Sequence, residues 1–318
     1  AEARGLLPED RKFLSDFQVR PVLTAHPTQF YPGSVLGIIT DLTQAIAQDD
    51  LVAIKQLLAQ LGKTPFIKKQ KPSPFDEAVS LTWYLENVFY QTAGEMMSYL
   101  QKNVFEGADL PHPMIQLGFW PGGDRDGNPF VTTEITLQVA NRLRSSILKC
   151  YYKDIRNLKR KLTFNRVDAL LADLESKIYR SVFYSRGELY LSCDEFKNQL
   201  LHIRQLIQDE HQSLYLDELN ELINKVTLFG FYFASLDIRQ NSKIHEAVFN
   251  SLPLFPSDYA QKSTREKLDF LTQLKASFKP ADFADELVSS TLDSVLAMQQ
   301  IQEQNGALGA HRYIISNC

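Results

Sequence analysis

The chain has 318 residues, enough for one large domain or two ordinary ones around a sizeable buried core. Lys plus Arg number 34 and Asp plus Glu 38, and the resulting net charge of −4 argues against a general nucleic-acid binder while leaving room for a small anion in a locally basic pocket. No run is apolar enough to span a bilayer, Ala1 to Gly5 holds no apolar signal core, and three cysteines without metal-like spacing (Cys150, Cys193, Cys318) suit a reducing, cytoplasmic setting.

In chain order, Pro21-Val22-Leu23-Thr24-Ala25 is a short apolar run that leads into the polar cluster His26-Pro27-Thr28-Gln29. Val35 to Leu61 carries apolar residues at helical spacing, with a break at Asp49-Asp50. Gln70 to Pro74 reads as a loop. Ser73 is an N-cap, Pro74 takes the first helical position and Asp76 sits in the first turn of a helix that runs to about Val104. A second apolar run, Met114 to Trp120, is followed by Pro121 and then Gly122-Gly123-Asp124-Arg125-Asp126-Gly127-Asn128-Pro129. Helices are expected from Thr132-Thr133-Glu134 past Cys150 towards Leu162, then over 166–182, 194–211 and 216–227. The third apolar run, Phe229 to Leu236, leads into Asp237-Ile238-Arg239-Gln240. Ser263-Thr264-Arg265-Glu266 is a capping-box pattern for a helix near 264–277, and the last long helix, from about Phe283 to Gln304, stops at Asn305-Gly306. The fourth run, Arg312 to Ile315, leads into Ser316-Asn317-Cys318.

Helix outweighs strand, and the four strand-like runs lie too far apart for ordinary β/α units. Functional side chains at the C-terminal ends of parallel strands are the habit of (β/α)-barrels. The expectation is a mostly α chain with a minor parallel β component. It would be a partial (β/α)8 (TIM-like) barrel with large helical insertions, in one region over 1–318, with strands near 19–25, 114–120, 228–238 and 311–316.

The loop from Gly122 to Pro129 carries the most chemistry. Glycines let the backbone turn and approach a ligand closely. Asp124, Arg125 and Asp126 fix one another's charges and offer a planar cation to a phosphate or carboxylate. Gly122, Gly123, Asp124, Asp126, Gly127 and Asn128 are read as shaping the site, with Arg125 adding positive field. Arg239, at the end of a very apolar run, is costly to bury unpaired. Its partner is either an anionic ligand or a carboxylate such as Asp237. His26 is read either as a histidine satisfied by backbone at a strand end or as a proton-transfer group working near neutral pH. Trp120 reads as packing beside the loop. The charged stretch Lys153 to Lys161 reads as a solvated helix face.

Thr24-Ala25-His26-Pro27-Thr28, the Gly-Gly-Asp-Arg-Asp-Gly-Asn-Pro loop, Leu236-Asp237-Ile238-Arg239-Gln240 and Tyr313-Ile314-Ile315-Ser316 follow one another as in phosphoenolpyruvate carboxylases, and the chain resembles the amino-terminal portion of that family from about residue 19 onward. The resemblance implies a carboxy-lyase reaction. Phosphoenolpyruvate and bicarbonate give oxaloacetate and phosphate through carboxyphosphate and the enolate of pyruvate. It makes His26 the catalytic residue and Arg239 and Arg125 substrate-binding. It also implies Mg2+ or Mn2+ in the full-length family, with metal ligands and further catalytic groups in a carboxy-terminal half that this chain lacks, so the isolated fragment is expected to be inactive. A cytoplasmic homo-oligomer, with no nucleic-acid or membrane partner, is implied as well. The family's arginine pair after His-Pro-Thr is missing here, where Gln29-Phe30-Tyr31-Pro32-Gly33-Ser34 stands instead. Two other readings stay open: another barrel enzyme acting on a phosphorylated or carboxylated small molecule, or a non-catalytic helical interaction module.

Overall fold

A computed structural model of the chain describes residues 7–24, 32–66, 72–110, 112–184, 189–252, 256, 258–275 and 278–317. Helix α1 spans Leu7–Asp16, and strand β1, Val22–Leu23, follows it. The break expected at Asp49-Asp50 separates α2 (Gly33–Ala47) from α3 (Leu51–Lys63), because the Asp50 carboxylate caps α3 by accepting from the amides of Val52 and Ala53. Ser73 caps α4 (Pro74–Tyr84) in a reciprocal box with Asp76, and one π turn over Leu85–Phe89 joins α4 to α5 (Tyr90–Asn103). Strand β2 is Gly118–Phe119. Four helices then pack in succession: α6 (Thr133–Lys159), α7 (Val167–Phe183), α8 (Cys193–Glu210) and α9 (Leu216–Phe229). Strand β3 (Ser235–Asn241) leads directly into α10 (Ser242–Ser251), which periodicity did not delimit. Then come α11 (Thr264–Gln273), α12 (Glu286–Asn305) and strand β4 (Arg312–Ser316).

The strands form one parallel sheet in the order β1-β2-β3-β4. Val22 pairs with Gly118, Gly118 with Ser235, and Asp237 through Asn241 with Arg312 through Ser316. Parallel strands in chain order, each reached through helices, are common to one side of a (β/α)8 barrel and to an open parallel sheet. The described residues therefore establish a mostly helical chain around a small parallel sheet.

The third apolar run departs from its expected form. Phe229 to Leu236 is not one strand. Helix α9 runs to Phe229, Gly230 ends it at φ 48°, a turn with Phe233 at φ 61° follows, and extended structure begins only at Ser235. The alternating phenyl rings explain the shift. Phe229, Phe231 and Phe233 are all buried against Tyr90, Tyr151 and Phe196, so the helical core rather than the sheet uses their apolar area. Each ring so buried contributes about 2–3 kcal/mol. Asp237 and Arg239 consequently lie inside β3 rather than after it.

The same core holds one deeply buried ammonium. Lys225 on α9 is 3% exposed, and its Nζ reaches Asp154 at 3.1 Å, Glu221 at 2.7 Å and Gln91 at 3.1 Å. It also lies 4.6 Å from the centre of the Tyr90 ring. Three donors meet three acceptors, which is the condition for tolerating a buried charge.

Candidate functional site

The loop after β2 is fixed from two sides. The Arg239 amide donates to the Gly123 carbonyl at 2.8 Å, and the Thr136 hydroxyl on α6 donates to the Gly122 carbonyl at 2.6 Å. Both glycines are required by the space available. Gly122 has φ 83° and a Cβ there would lie 2.6 Å from Val139, while a Cβ on Gly123 would lie 2.1 Å from the Asp237 carbonyl oxygen. Gly127 lies against the Asp124 carboxylate, and the Asn128 amide donates back to the Asp124 carbonyl at 3.0 Å to close the turn. The Asn128 side chain accepts from the Phe130 amide at 3.1 Å.

This placement brings the loop carboxylates to Arg239. The guanidinium lies 3.0 Å from Asp126 and 3.3 Å from Asp124, and its carbon stands 3.9 Å from the centre of the Trp120 ring. Trp120 is therefore more than packing. Its ring is a cation–π platform for Arg239, and its indole N–H donates to Asp237 at 3.1 Å. Asp237 does not pair with Arg239. Arg20, which precedes β1, takes Asp237 in a two-point bond at 2.6 and 3.2 Å. Sequence reasoning missed Arg20, since a lone arginine before a short apolar run carries no local signal.

The two loop carboxylates have opposite electrostatics. Burial, a hydrogen bond with Asp126 and that residue's charge raise the Asp124 carboxyl to about 6, against the attraction of Arg239. Burial also pushes Asp126 up, but its contacts with Asp124, Ser316 and Arg239 outweigh that and hold it below the usual carboxylate range. The pair thus carries its exchangeable proton on Asp124.

Arg125 is not brought to this cluster. It faces the other side of the loop, where it donates to the Ser290 carbonyl on α12 at 3.2 Å and to Thr133 at 3.4 Å. Burial pulls its guanidinium below the ordinary value, and the nearby Tyr313 and Asp293 oppose that. His26 lies outside the described residues. A cleft of about 720 Å3 along α6 and α7, lined by Lys153, Arg156, Arg160 and Glu175, shares no residue with the cluster. Glu175 pairs there with Lys159 at 2.6 Å and Arg156 at 3.6 Å, as on a solvated helix face.

The phosphoenolpyruvate carboxylase family profile matches residues 8–182 and 169–318, nearly the whole chain. The chain belongs to the phosphoenolpyruvate carboxylase family. It is 26% identical to the phosphoenolpyruvate carboxylase of Shewanella halifaxensis over 95% of its own length and 40% of that protein's. The Shewanella sediminis enzyme is 28% identical over 87% of the chain and 38% of the relative, and the Vibrio atlanticus enzyme 27% over 95% and 39%. The chain therefore spans about 40% of the length of the relatives it matches. Among the described residues no helix is long and apolar enough to cross a membrane.

Proposed function

We propose that this chain supplies the anion-binding amino-terminal part of a phosphoenolpyruvate carboxylase, which joins phosphoenolpyruvate and bicarbonate to give oxaloacetate and phosphate. The observation that carries the reading is Arg239. Its guanidinium carbon lies 3.9 Å over the Trp120 ring, its backbone is bonded to the Gly-rich loop, and its Nε meets Asp124 at 3.3 Å without an aligned hydrogen bond. A preorganised planar cation of this kind suits two-point binding of a phosphate or carboxylate.

In this reading Arg239 grips the substrate's anionic end, and the negative charge that moves during phosphoryl transfer stays within its field. Arg125 adds positive field from behind the loop. His26 takes the proton of carboxyphosphate and assists its breakdown to carbon dioxide and phosphate. Gly122, Gly123, Gly127 and Asn128 hold the loop close enough for the cluster to form.

Family membership raises a divalent cation, Mg2+ or Mn2+. The carboxylates gathered here do not fit one. Asp124 and Asp126 face Arg239, Asp237 is held by Arg20 and Trp120, and among the described residues no three His, Cys, Asp or Glu side chains converge. No step on this chain is routed through a metal, and the isolated chain is expected to form no oxaloacetate.

Two measurements test this reading. Phosphoenolpyruvate should raise the thermal midpoint of the chain, sugar phosphates should not, and Arg239→Gln should remove the effect. Equal stabilisation of Arg239→Gln overturns the assignment of Arg239. Oxaloacetate formation by the isolated chain that disappears in His26→Asn overturns the expectation of inactivity.

A further inference from the structure

Arg239 is held by two carboxylates at once. With both ionised, the group Asp124, Arg239 and Asp126 carries a net charge of one minus, which repels the anion that Arg239 is placed to bind. Arg239 Nε and Asp124 Oδ1 face each other at 3.3 Å without an aligned hydrogen bond, and Asp126 Oδ1 is likewise buried without an aligned donor. Such atoms are costly to leave unsatisfied. A proton on the pair supplies a donor to its oxygens, and an anion that displaces Asp124 supplies Nε with a better-aligned acceptor.

We propose that Asp124 is the specificity-determining gate of this anion site, and that a tetrahedral dianion enters beside Arg239 together with one proton taken up by the Asp124–Asp126 pair. This rests on the reading of Arg239 as an anion clamp. The surrounding groups agree with it. Glu77 on α4 adds a second negative charge towards Asp124, and Ser316 on β4 lies beside Asp126. Asp237, on the same strand as Arg239, is already neutralised by Arg20. Arg125 lies behind the loop, where Tyr313 and Asp293 are the groups that act on it. Asp126, only 4% exposed and bonded at 3.0 Å, stays ionised as the permanent counter-ion. Asp124, one-third exposed and at the looser 3.3 Å contact, is the member that can let go. Once protonated, it leaves Arg239 matched by a single carboxylate, so the site becomes neutral and the guanidinium edge is free for the ligand. Gly127 keeps the space beside Asp124 open, since a Cβ there would lie 2.7 Å from its carboxylate oxygen.

Inorganic sulfate is the probe, because it stays doubly charged across the whole range and contributes no titration of its own. Its affinity is read from Trp120 fluorescence in a Trp83→Phe background, Trp83 being the other of the two tryptophans. Between pH 6 and 8 the dissociation constant should rise about tenfold per unit. Asp124→Asn should flatten that slope and bind more than tenfold tighter at pH 8. An identical slope in Asp124→Asn, or a flat profile in the parent, overturns the gate and leaves Arg239 as an anion site. Absence of sulfate binding by every variant at every pH overturns the clamp beneath both. Should Asp124→Asn fail to fold, carbon-13 carboxyl titration of the unsubstituted chain decides. Saturating sulfate should raise the Asp124 midpoint, and an unmoved midpoint overturns the gate.

Discussion

Gly123→Ala is the sharpest perturbation of the geometry on which the site depends. A Cβ at Gly123 would lie 2.1 Å from the backbone carbonyl oxygen of Asp237, and 3.5 Å from the Leu236 side chain. The first neighbour is backbone in the middle of a parallel strand and has no rotamer to change. Loop and strand must part by about an ångström to restore ordinary contact, which lengthens the 2.8 Å bond from the Arg239 amide to the Gly123 carbonyl. Overpacking of this kind costs about 1–3 kcal/mol, and the lost backbone bond about 1 kcal/mol more. The expected destabilisation is therefore about 2–4 kcal/mol, read as a lower urea midpoint at unchanged slope. Gly37→Ala is the matched control. Gly37 lies inside α2, is exposed, and has nothing within 4 Å of a Cβ position, so alanine there should stabilise by about 0.5–1 kcal/mol. A Gly123→Ala chain within about 0.5 kcal/mol of the parent refutes the close approach of loop and strand. The anion site built on that approach falls with it.

Lys225→Met should cost about 2–4 kcal/mol in the same urea assay, because it leaves the half-buried Asp154 and Glu221 without their cation, and a neutral outcome shows that the ammonium is not their counter-ion. Trp120→Phe keeps a ring under Arg239 but removes the N–H to Asp237. It should lose about 1 kcal/mol, Trp120→Leu about 1 kcal/mol more, and equal stability of the two refutes the platform. Because the folded Asp124 carboxyl is raised to about 6, its stabilising contribution is full below the unfolded value of 3.8 and is lost as pH rises through 6. Asp124→Asn should therefore gain stability over the parent at pH 8 relative to pH 4, and a difference independent of pH contradicts the raised carboxyl. Burial lifts the half-buried Cys150 and Cys193 thiols to about 12 and about 11, so both should be alkylated much more slowly at pH 8 in the folded chain than in the unfolded one, and equal rates in a peptide-resolved iodoacetamide assay refute the raised thiols.

Helix existence was legible where local chemistry decides it. Ser73, Thr132, Ser192 and Ser263 each accept from a backbone amide at the start of a helix, and none of those starts needs a tertiary contact to specify it. Extended structure was less legible. The 229–236 run has the composition of a strand, but the position of its phenyl rings is set by Tyr90, Tyr151 and Phe196, far away in sequence. The π turn at Leu85–Phe89 has no local signature either, since its residues are ordinary helix formers.

The same division runs through the site. That Arg239 needed a strong partner followed from burial cost alone, but which carboxylate it found did not. Asp237 is two residues away and on the same face of β3, so along the chain it was the obvious candidate. The fold gives Asp237 to Arg20 and the Trp120 indole, and by doing so leaves Arg239 to the loop carboxylates. Charge economy explains the choice. Asp237 is 1% exposed and needs a full two-point partner, whereas Arg239, at 18%, keeps an edge towards solvent. A strand that buries one acid completely and leaves the next cation partly open has separated a structural ion pair from a cation available for binding.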